Sequence, residues 1–483
     1  MKALAILGTS SNAGKSWMTT AFCAALLRRG IRAAPFKAQN MSNNSYVTLD
    51  GGEMGRAQAV QAEACGLDPR VEMNPILLKP SGLAGSQLIV LGRALEHLKA
   101  QEYYRRIEDL WPIVRDTLED WKSRCDVLVM EGAGSPVELN LMHRDIVNLR
   151  PVEHLGGRWL LVSNIERGGV FAQIVGTWNL LPPAARERGL GAIVNQFRGD
   201  KTLFADAARC LALHTPLPYL GVVPHRAALQ PESEDSLCDA AESSKQADGN
   251  VIAWIRFPHL SNSQDAQPWL LDRGVSTRWA RAPEGLADAK AIILPGSKNT
   301  LADLAWLHET GLARVIRDAA GVGIPVLGIC GGYQMLGHAL SDADGVAGQR
   351  GEANGLGLLP VATEFFATKT VQQVTARWRD DRWTAYEIHM GKTTGKTSPL
   401  LRTEIEGRAM DEGCRRGNVW GTYLHGFFES RAVREDFARA AGLQGHTASQ
   451  ISWKAHQQTI YGRMADLIEE HLDLDAVWKY VED

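Results

Sequence analysis

The chain has 483 residues, a net charge of −3 and 45% hydrophobic residues, which is typical of a soluble globular protein with two or three domains. This weak charge does not favour a nucleic-acid partner. No apolar run has the length of a membrane-spanning helix, and the seven cysteines are scattered rather than paired as in zinc sites or disulfide frameworks. We expect a cytoplasmic protein without membrane or nucleic-acid partners, and its oligomeric state stays open.

Short apolar segments alternate with helix-like ones along the first 230 residues. The candidate strands are 2–8, 127–133, 159–165, 190–197 and 219–224. Alternation of this kind predicts a parallel sheet covered by helices. The strands are almost continuously apolar, which predicts burial of both sheet faces.

Residues 231–250 are polar, acidic and aperiodic, which predicts an interdomain linker. The strand pattern then restarts at 251–258, 291–297, 324–332 and 419–426. We therefore predict an α/β fold with two domains, 1–230 and 251–440, each a mostly parallel sheet flanked by helices. A helical appendage is expected at 441–483.

The first predicted strand runs directly into a glycine-containing loop, GTSSNAGKS (8–16). Backbone N–H groups at the start of the following helix form an anion site there. Lys15 is expected to contact nucleotide phosphates, and the Ser16 hydroxyl to bind Mg²⁺. The candidate nucleotide-binding residues are Gly8, Thr9, Asn12, Ala13, Gly14, Lys15 and Ser16. A plain strand-to-helix turn is the alternative.

The loop is one residue longer than the common G-x-x-x-x-G-K-[ST] motif. In this form it resembles the loop of the dethiobiotin synthetase family, whose members use ATP to activate carboxylates. The resemblance implies a P-loop domain of that kind at 1–230. It also implies that Asn195 lies against the nucleotide base.

Two acidic residues are candidate Mg²⁺ ligands, since this ion prefers carboxylates beside phosphate oxygens. Glu131 ends an apolar strand before a glycine turn, and Asp50 precedes another glycine turn. Either acid could instead cap a helix. In the resembled family, an acid in the corresponding turn binds the metal.

Cys330 stands between an apolar strand and a helix, with Gly331 and Gly332 behind it. A helix N-terminus favours the thiolate, and flanking glycines permit the sharp bend of a nucleophile turn. Because a buried structural cysteine is the alternative, the wider setting decides. The G-x-C-G-G-x-Q segment resembles the nucleophile turn of class I glutamine amidotransferases, which implies that fold for residues 251–440.

His425 ends an apolar strand about 95 residues further on, at the separation that this resemblance implies for the base. The N–H groups of Gly296, Ser297 and Gly331 are expected to form an oxyanion hole. Common class I amidotransferases carry His-Pro-Glu, whereas Gly426 and Phe427 follow His425 here. The third member of the Cys–His site therefore stays open.

Ten further segments resemble the cobyric acid synthase family. They are FKAQNMSNNS (36–45), DGGEMGRAQAVQAEA (50–64), NPILLKP (74–80), MEGAGSPVELNL (130–141), RDIVNL (144–149), ERGGVFA (166–172), NQFRGD (195–200), LPGSKNT (294–300), YEIHMG (386–391) and GTYLHG (421–426). The resemblance implies ATP, Mg²⁺, glutamine and a corrinoid substrate. It implies amidation of the b, d, e and g carboxylates of adenosylcobyrinic acid a,c-diamide, through acyl phosphates and ammonia released from glutamine.

Several polar residues are substrate-side candidates. Lys37 and Asn40 are expected to contact phosphate or a substrate carboxylate, unless they lie in a solvated loop. The resemblance to related diamide synthases implies that Asp145 and Asn148 lie near the substrate, although a helix cap is the alternative for Asp145. His389 is expected to line the corrinoid side or to be a core histidine.

Three other functions stay open beside this one. A corrinoid a,c-diamide synthase and another ATP-dependent amidase, such as a cell-wall lipid II amidating complex, use similar parts. A non-catalytic ATPase switch of the partitioning type belongs to a different class. The switch predicts loss of the nucleophile or base, whereas Cys330 and His425 are both present.

Overall fold

The computed structural model describes residues 1–81, 85–231, 249–348, 350–396 and 398–483. The strands of the first half are β1 (Lys2–Gly8), β2 (Ala33–Phe36), β3 (Gln39–Met41), β4 (Ser45–Val47), β5 (Glu53–Gly55), β6 (Ile76–Ser81), β7 (Gly85–Val90), β8 (Arg93–Leu98), β9 (Val127–Glu131), β10 (Arg158–Asn164), β11 (Gly189–Phe197) and β12 (Tyr219–Pro224). Its helices are α1 (Lys15–Arg28), α2 (Arg56–Ala64), α3 (Ala100–Arg105), α4 (Ile107–Trp121), α5 (Leu149–Leu155), α6 (Val170–Leu180), α7 (Pro183–Arg186) and α8 (Ala207–Ala212).

The first half is built on a six-stranded sheet with the order β12-β11-β10-β1-β9-β2. All of its neighbouring strands run parallel. Apolar clusters cover both faces, so its near-continuous apolar strands are explained by burial on both sides. The carboxyl ends of β1, β9 and β11 therefore meet at one edge, where open α/β sheets bind their ligands.

Residues 39–98 contain short strands that the apolar pattern of the sequence does not predict. Strands β3, β6, β7 and β8 form a four-stranded mixed sheet, and β4 pairs with β5 in a small hairpin. Strands β3, β4 and β5 have three residues each, which is too short to produce a recognisable alternation.

The second half contains two larger sheets. Its strands are β13 (Val251–Ile255), β14 (Leu260–Ser261), β15 (Ser276–Ala280), β16 (Ala289–Leu294), β17 (Gly296–Ser297), β18 (Val326–Ile329), β19 (Ala339–Asp342), β20 (Gly351–Asn354), β21 (Val361–Trp378), β22 (Asp381–Gly395), β23 (Leu401–Ile405), β24 (Arg408–Glu412), β25 (Cys414–Arg416) and β26 (Val419–Thr422). Its helices are α9 (Thr300–Glu309), α10 (Leu312–Gly321), α11 (Gly331–Leu336) and α12 (Arg431–Ala440).

The main sheet of the second half has the order β15-β13-β16-β18-β26-β25. It is parallel except for β25, which pairs antiparallel with β26. A second, mostly antiparallel sheet is dominated by the long β21–β22 pair. The predicted fold class, two α/β halves with parallel sheets flanked by helices, is confirmed.

The last two helices return to the first half. They are α13 (Trp453–His471) and α14 (Asp475–Glu482), and α13 packs along α1. Trp478 contacts Phe22 edge-to-face at 6.0 Å, and the Tyr480 hydroxyl donates to the Ala3 carbonyl at 3.1 Å. Helices α13 and α14, which make up most of the predicted appendage 441–483, are thus part of the core of the first half.

Most of the predicted linker 231–250 lies outside the described residues, which resume at Gly249. Within the described ranges, no helix combines the length and the apolar character needed to cross a membrane.

Candidate active site

The phosphate loop connects β1 to α1 at the carboxyl edge of the first sheet. Gly14 has a φ of +94° and immediately precedes the helix, a conformation that glycine adopts without strain. Asn12 also has a positive φ, of 58°. The Thr9 hydroxyl contacts the Ser163 hydroxyl and the Gln173 amide oxygen, both at 3.0 Å. These contacts fix the loop against β10 and α6.

Lys15 folds back over this loop. Its Nζ donates to the carbonyl oxygens of Ser10 and Gly134, both at 2.9 Å. Burial, partly offset by Glu131, lowers its pKa to about 8. The ammonium group therefore lies beside the backbone cradle, where phosphate oxygens are better partners than carbonyl oxygens.

Glu131 lies at the end of β9, with 1% of its surface exposed. The Ser16 hydroxyl and the Lys37 ammonium donate to its Oε1, both at 2.8 Å. The Gln61 amide donates to its Oε2 at 2.5 Å. Burial raises the carboxyl pKa, but Lys37 and the hydrogen bonds outweigh burial and hold it below its ordinary value. Glu131 is therefore an ionised carboxylate beside the loop serine.

Asn195 lies against the loop from β11. Its Nδ2 donates to the Ala13 carbonyl at 3.1 Å, and a methyl group on Gly14 would come within 1.9 Å of the same atom. The structure thus brings Asn195 to the phosphate loop. Its contact with a nucleotide base stays a prediction.

Asp50 does not belong to this site. It lies in the exposed turn between β4 and β5, where its Oδ1 accepts a hydrogen bond from the Thr48 hydroxyl. That bond joins it to its own turn rather than to Ser16 or Glu131. The prediction of Asp50 as a metal ligand is wrong, because the glycines after it belong to a hairpin turn and not to the edge of the parallel sheet.

Two of the substrate-side candidates, Lys37 and Asn40, are connected to Glu131. Lys37 reaches the site through its ion pair with Glu131, whereas Asn40 is buried and donates to the Gln58 amide oxygen at 2.9 Å. Gln58 in turn donates to Glu131 at 3.4 Å. Asn40 is thus connected to the Glu131 carboxylate through Gln58. Neither Lys37 nor Asn40 lies in a solvated loop.

Asp145 and Asn148 shape the turn after Glu131. Asp145 accepts hydrogen bonds from the backbone N–H groups of Val147 at 2.7 Å and Asn148 at 3.0 Å, which is a local cap. Burial raises its pKa. The Asn148 side chain exchanges hydrogen bonds with the Ala133 backbone at 3.0 and 2.9 Å. A substrate contact by either residue stays a prediction.

Cys330 lies between β18 and α11 with a φ of +51° and a ψ of −110°. This backbone conformation is rare outside glycine and is the strained bend that exposes a nucleophile. The thiol is 6% exposed and faces the Ile388 carbonyl at 3.5 Å. The predicted strand-to-helix turn is present, and it places the sulfur at the start of α11.

His425 is fully buried, and Asp265 is the third member that the sequence left open. Its Nδ1 lies 2.7 Å from Asp265 Oδ2, and the Gly426 N–H donates to Asp265 Oδ1 at 2.7 Å. Burial lowers the pKa of His425, but Asp265 and the Cys330 thiol outweigh it and raise that pKa to about 10. His425 Nε2 has no hydrogen-bond partner within the described residues and is available to the thiol. Cysteine, histidine and aspartate form a triad.

Sequence analysis missed Asp265. It belongs to a 3-10 segment, Ser263–Leu271, about 160 residues before His425 in the chain. No periodicity or motif distinguishes it from other acids. The absence of an acid two residues after His425 left two alternatives, another group that orients His425 or a Cys–His dyad, and the structure shows Asp265 in this place.

The predicted oxyanion residues lie close to one another and to the triad. A methyl group on Gly331 would lie 2.8 Å from Ser297 N, and one on Gly296 would lie 3.3 Å from His425 Cε1. The Ser297 hydroxyl donates to Asp303 at 2.5 Å, which turns the side chain away and leaves the backbone beside Cys330. The geometry fits an oxyanion hole.

His389 lies in the same cavity as Cys330, a space of about 210 Å³. Its ring stacks on Tyr423 at 3.7 Å, and its Nδ1 lies 2.8 Å from the Gly391 carbonyl. His389 therefore lines the cavity that contains the Cys330 thiol. A contact with the corrinoid stays a prediction.

The first site fits a nucleotide with a magnesium ion. The Ser16 hydroxyl and the Glu131 carboxylate are hard oxygen ligands next to each other. The start of α1 supplies backbone N–H groups, and Lys15 supplies a buried positive charge. Bound there, Mg²⁺ would neutralise phosphate charge.

Two known domain families match the two halves. Residues 4–237 match the CobQ/CobB/MinD/ParA nucleotide binding domain. Residues 251–433 match the CobB/CobQ-like glutamine amidotransferase domain. The boundary between the matches falls in the predicted linker.

Relatives match nearly the whole chain. "Cobyric acid synthase" of Roseiflexus castenholzii is 45% identical, covering 90% of this chain and 91% of its own. "Cobyric acid synthase" of Desulforudis audaxviator is 43% identical over 99% and 98%. "Cobyric acid synthase" of Nocardia farcinica is 41% identical over 100% and 97%.

Solved structures are more distant. One titled "Crystal structure of glutamine amidotransferase" is 18% identical, covers 39% of this chain and 98% of its own, and has a TM-score of 0.31. The septum site-determining protein MinD with Mg-ADP from Pyrococcus horikoshii is 14% identical, covers 47% and 83%, and has a TM-score of 0.28. The whole-length relatives decide the assignment. The chain belongs to the cobyric acid synthase family.

Proposed function

We propose that the chain amidates the b, d, e and g carboxylates of adenosylcobyrinic acid a,c-diamide, with ATP and glutamine, to give adenosylcobyric acid in cobalamin biosynthesis. The observation that carries this proposal is the presence, in one chain of this family, of a phosphate loop and a complete Cys330–His425–Asp265 triad. A switch with a vestigial second half needs neither a buried triad nor a strained nucleophile.

The second half supplies the nitrogen. The Cys330 thiolate attacks the side-chain carbonyl carbon of glutamine, and the N–H groups near Gly331 and Ser297 stabilise the oxyanion. Protonated His425 donates its proton to the departing nitrogen, which leaves as ammonia. Water, deprotonated by His425, then cleaves the thioester and releases glutamate. Asp265 holds the imidazole orientation and stabilises its positive charge throughout.

The first half makes the acid group reactive. A carboxylate oxygen of the corrinoid attacks the γ-phosphorus of ATP, ADP leaves, and an acyl phosphate forms. Lys15 and the start of α1 bind the phosphates, while Ser16 and Glu131 would hold the magnesium ion. Ammonia attacks the acyl carbon, phosphate leaves, and loss of a proton gives the amide.

Mass spectrometry of the a,c-diamide after incubation with ATP, Mg²⁺ and glutamine tests the proposal. We expect four successive decreases of about one mass unit, each an exchange of OH for NH₂. An unchanged a,c-diamide, with amidation of cobyrinic acid instead, would assign the chain to a,c-diamide synthesis. An unchanged corrinoid in both assays would contradict the corrinoid substrate.

Cys330→Ser separates the two half-reactions. We expect it to abolish glutamine-dependent amidation by removing the nucleophile. Ammonium chloride should restore amidation, because the first half is intact. Loss of the ammonia-dependent reaction as well would contradict the assignment of Cys330 to the glutaminase alone.

A further inference from the structure

A small hairpin of the first half lies against the glutaminase. It consists of β4 and β5, and Asn44 precedes it directly. Asn44 is 7% exposed, and Ser45 and Glu53 are 0% and 1% exposed. None of these three residues belongs to either site described above, although all are polar and buried.

The start of the hairpin holds the segment that carries Asp265. The Asn44 side-chain oxygen accepts a hydrogen bond from the Asn262 N–H at 2.9 Å. In return, the Asn262 side-chain oxygen accepts one from the Ser45 N–H at 3.2 Å. Asn262 has a φ of +51° and directly precedes the 3-10 segment that contains Asp265. A residue in this conformation persists only where its surroundings fix it.

The end of the hairpin holds two lysines in the cavity wall. Glu53 pairs with Lys79 of its own half and with Lys369 of the second half. Both lysines line the cavity that contains Cys330. Lys79 also donates to the Ser45 hydroxyl at 2.6 Å. Burial raises the pKa of Glu53, but the lysines outweigh it and hold the pKa well below its ordinary value.

Strand β5 continues without a break into α2. Gln61 of α2 donates to Glu131 in the phosphate site. A single short stretch of chain, 53–61, therefore contacts the cavity of the glutaminase at one end and the phosphate site at the other.

We propose that the β4–β5 hairpin of the first half is a positioning element for the glutaminase. Asn44 positions the segment that carries Asp265, and Glu53 positions the lysines that line the cavity containing Cys330. Neither residue touches the reacting atoms. The proposal rests on the glutaminase role of the Cys330–His425–Asp265 triad, and it makes this role depend on contact between the halves.

Two variants of the full chain test it, Asn44→Ala and Glu53→Gln. Glutamate release from glutamine measures the glutaminase, and corrinoid amidation with ammonium chloride measures the first half. We expect Asn44→Ala to lower the glutaminase kcat about tenfold or more, since small misplacements of a catalytic group have effects of this size. Glu53→Gln should instead mainly raise the KM for glutamine, about tenfold. Leu49→Ala is the matched control, because Leu49 lies in the turn of the same hairpin and is 69% exposed.

Both variants should retain ammonia-dependent amidation within twofold of the wild type. Wild-type glutaminase constants in both variants would overturn the proposal. A parallel loss of both activities would also overturn it, because the hairpin would then support only its own half. If the corrinoid assignment is wrong, the ammonia assay fails in the wild type as well, and circular dichroism then replaces it as the control for folding.

Discussion

In the phosphate site, the charged groups lie at the start of α1 and near strand ends of one sheet, and each has hydrogen-bond partners within the first half. Lys15 contacts loop carbonyls, and Glu131 binds Ser16 and Lys37. In the glutaminase, Cys330, His425 and Asp265 come from three separate segments, and His425 Nε2 is left without a hydrogen-bond partner in the part of the chain that the structure describes. The charged groups of the phosphate site thus have hydrogen-bond partners, whereas the triad leaves the His425 Nε2 available to the thiol.

Asp265→Asn gives the largest expected effect and tests whether the glutaminase needs its third residue. An asparagine keeps the shape but loses the charge that stabilises imidazolium, so glutamate release should fall roughly a thousandfold or more. Ammonia-dependent amidation should be unchanged. Glutamate release within threefold of the wild type would mean that Cys330 and His425 work as a dyad.

The same substitution should alter the pH dependence of stability. The pKa of His425 is raised from 6.5 to about 10, so its contribution to the free energy of unfolding is fully present below about pH 6.5. That contribution is lost as the pH rises through 10. The difference in free energy of unfolding between wild type and Asp265→Asn should therefore shrink between these values, as measured by urea denaturation. A constant difference would contradict a charged His425.

Lys15→Ala has the next largest expected effect, and it should impair amidation while sparing glutamate release. Removing a phosphate-binding ammonium should lower both glutamine- and ammonia-dependent amidation, about a hundredfold to a thousandfold. Glutamate release measured without ATP should persist. Lys122→Ala, a lysine with 46% of its side chain exposed, is the control. Retention of ammonia-dependent amidation in Lys15→Ala would contradict its phosphate role.

Trp478→Ala tests whether the C-terminal helices stabilise the first half. Loss of a buried tryptophan packed on Phe22 should lower the free energy of unfolding by about 3 kcal/mol. Leu213→Ala, at a 76% exposed position, should change it by less than about 0.5 kcal/mol. Similar values for both variants in denaturant unfolding would show that α14 contributes little to this core.

Asp50→Asn should have the smallest effect. Since Asp50 is exposed and bonded within its own turn, amidation should change less than twofold. Glu131→Gln should lower amidation at least tenfold, because it removes a buried carboxylate from the phosphate site. The dependence of amidation on the Mg²⁺ concentration would separate the two acids. A higher Mg²⁺ requirement in Asp50→Asn would restore it as a ligand.

Patterns that backbone shape dictates were visible in the sequence. The phosphate loop and the Cys330 turn need glycines at fixed positions beside apolar strands, so both could be predicted with their surroundings. Asp265 could not, because a single carboxylate reaching in from an irregular segment leaves no periodic signal. The error at Asp50 has a related cause: a hairpin turn and the end of a sheet strand both carry an acid followed by glycine, Asp50-Gly51 and Glu131-Gly132.

Contacts between the halves were also beyond sequence reasoning. Asn44, Glu53 and Lys369 are polar, and only the assembled fold shows that Asn44 bonds Asn262 and that Glu53 pairs with Lys369 across the halves. From the sequence alone, polar residues of this kind are expected to be exposed. Their partners are about 220 to 320 residues away in the chain.

The return of α13 and α14 to the first sheet makes the second half an insertion within the first. The chain enters the second half after residue 231 and leaves it before Trp453. Two chain connections therefore join the second half to the first. The facing surfaces of the two halves therefore stay linked by two covalent connections, which makes their contact intramolecular and raises its effective concentration.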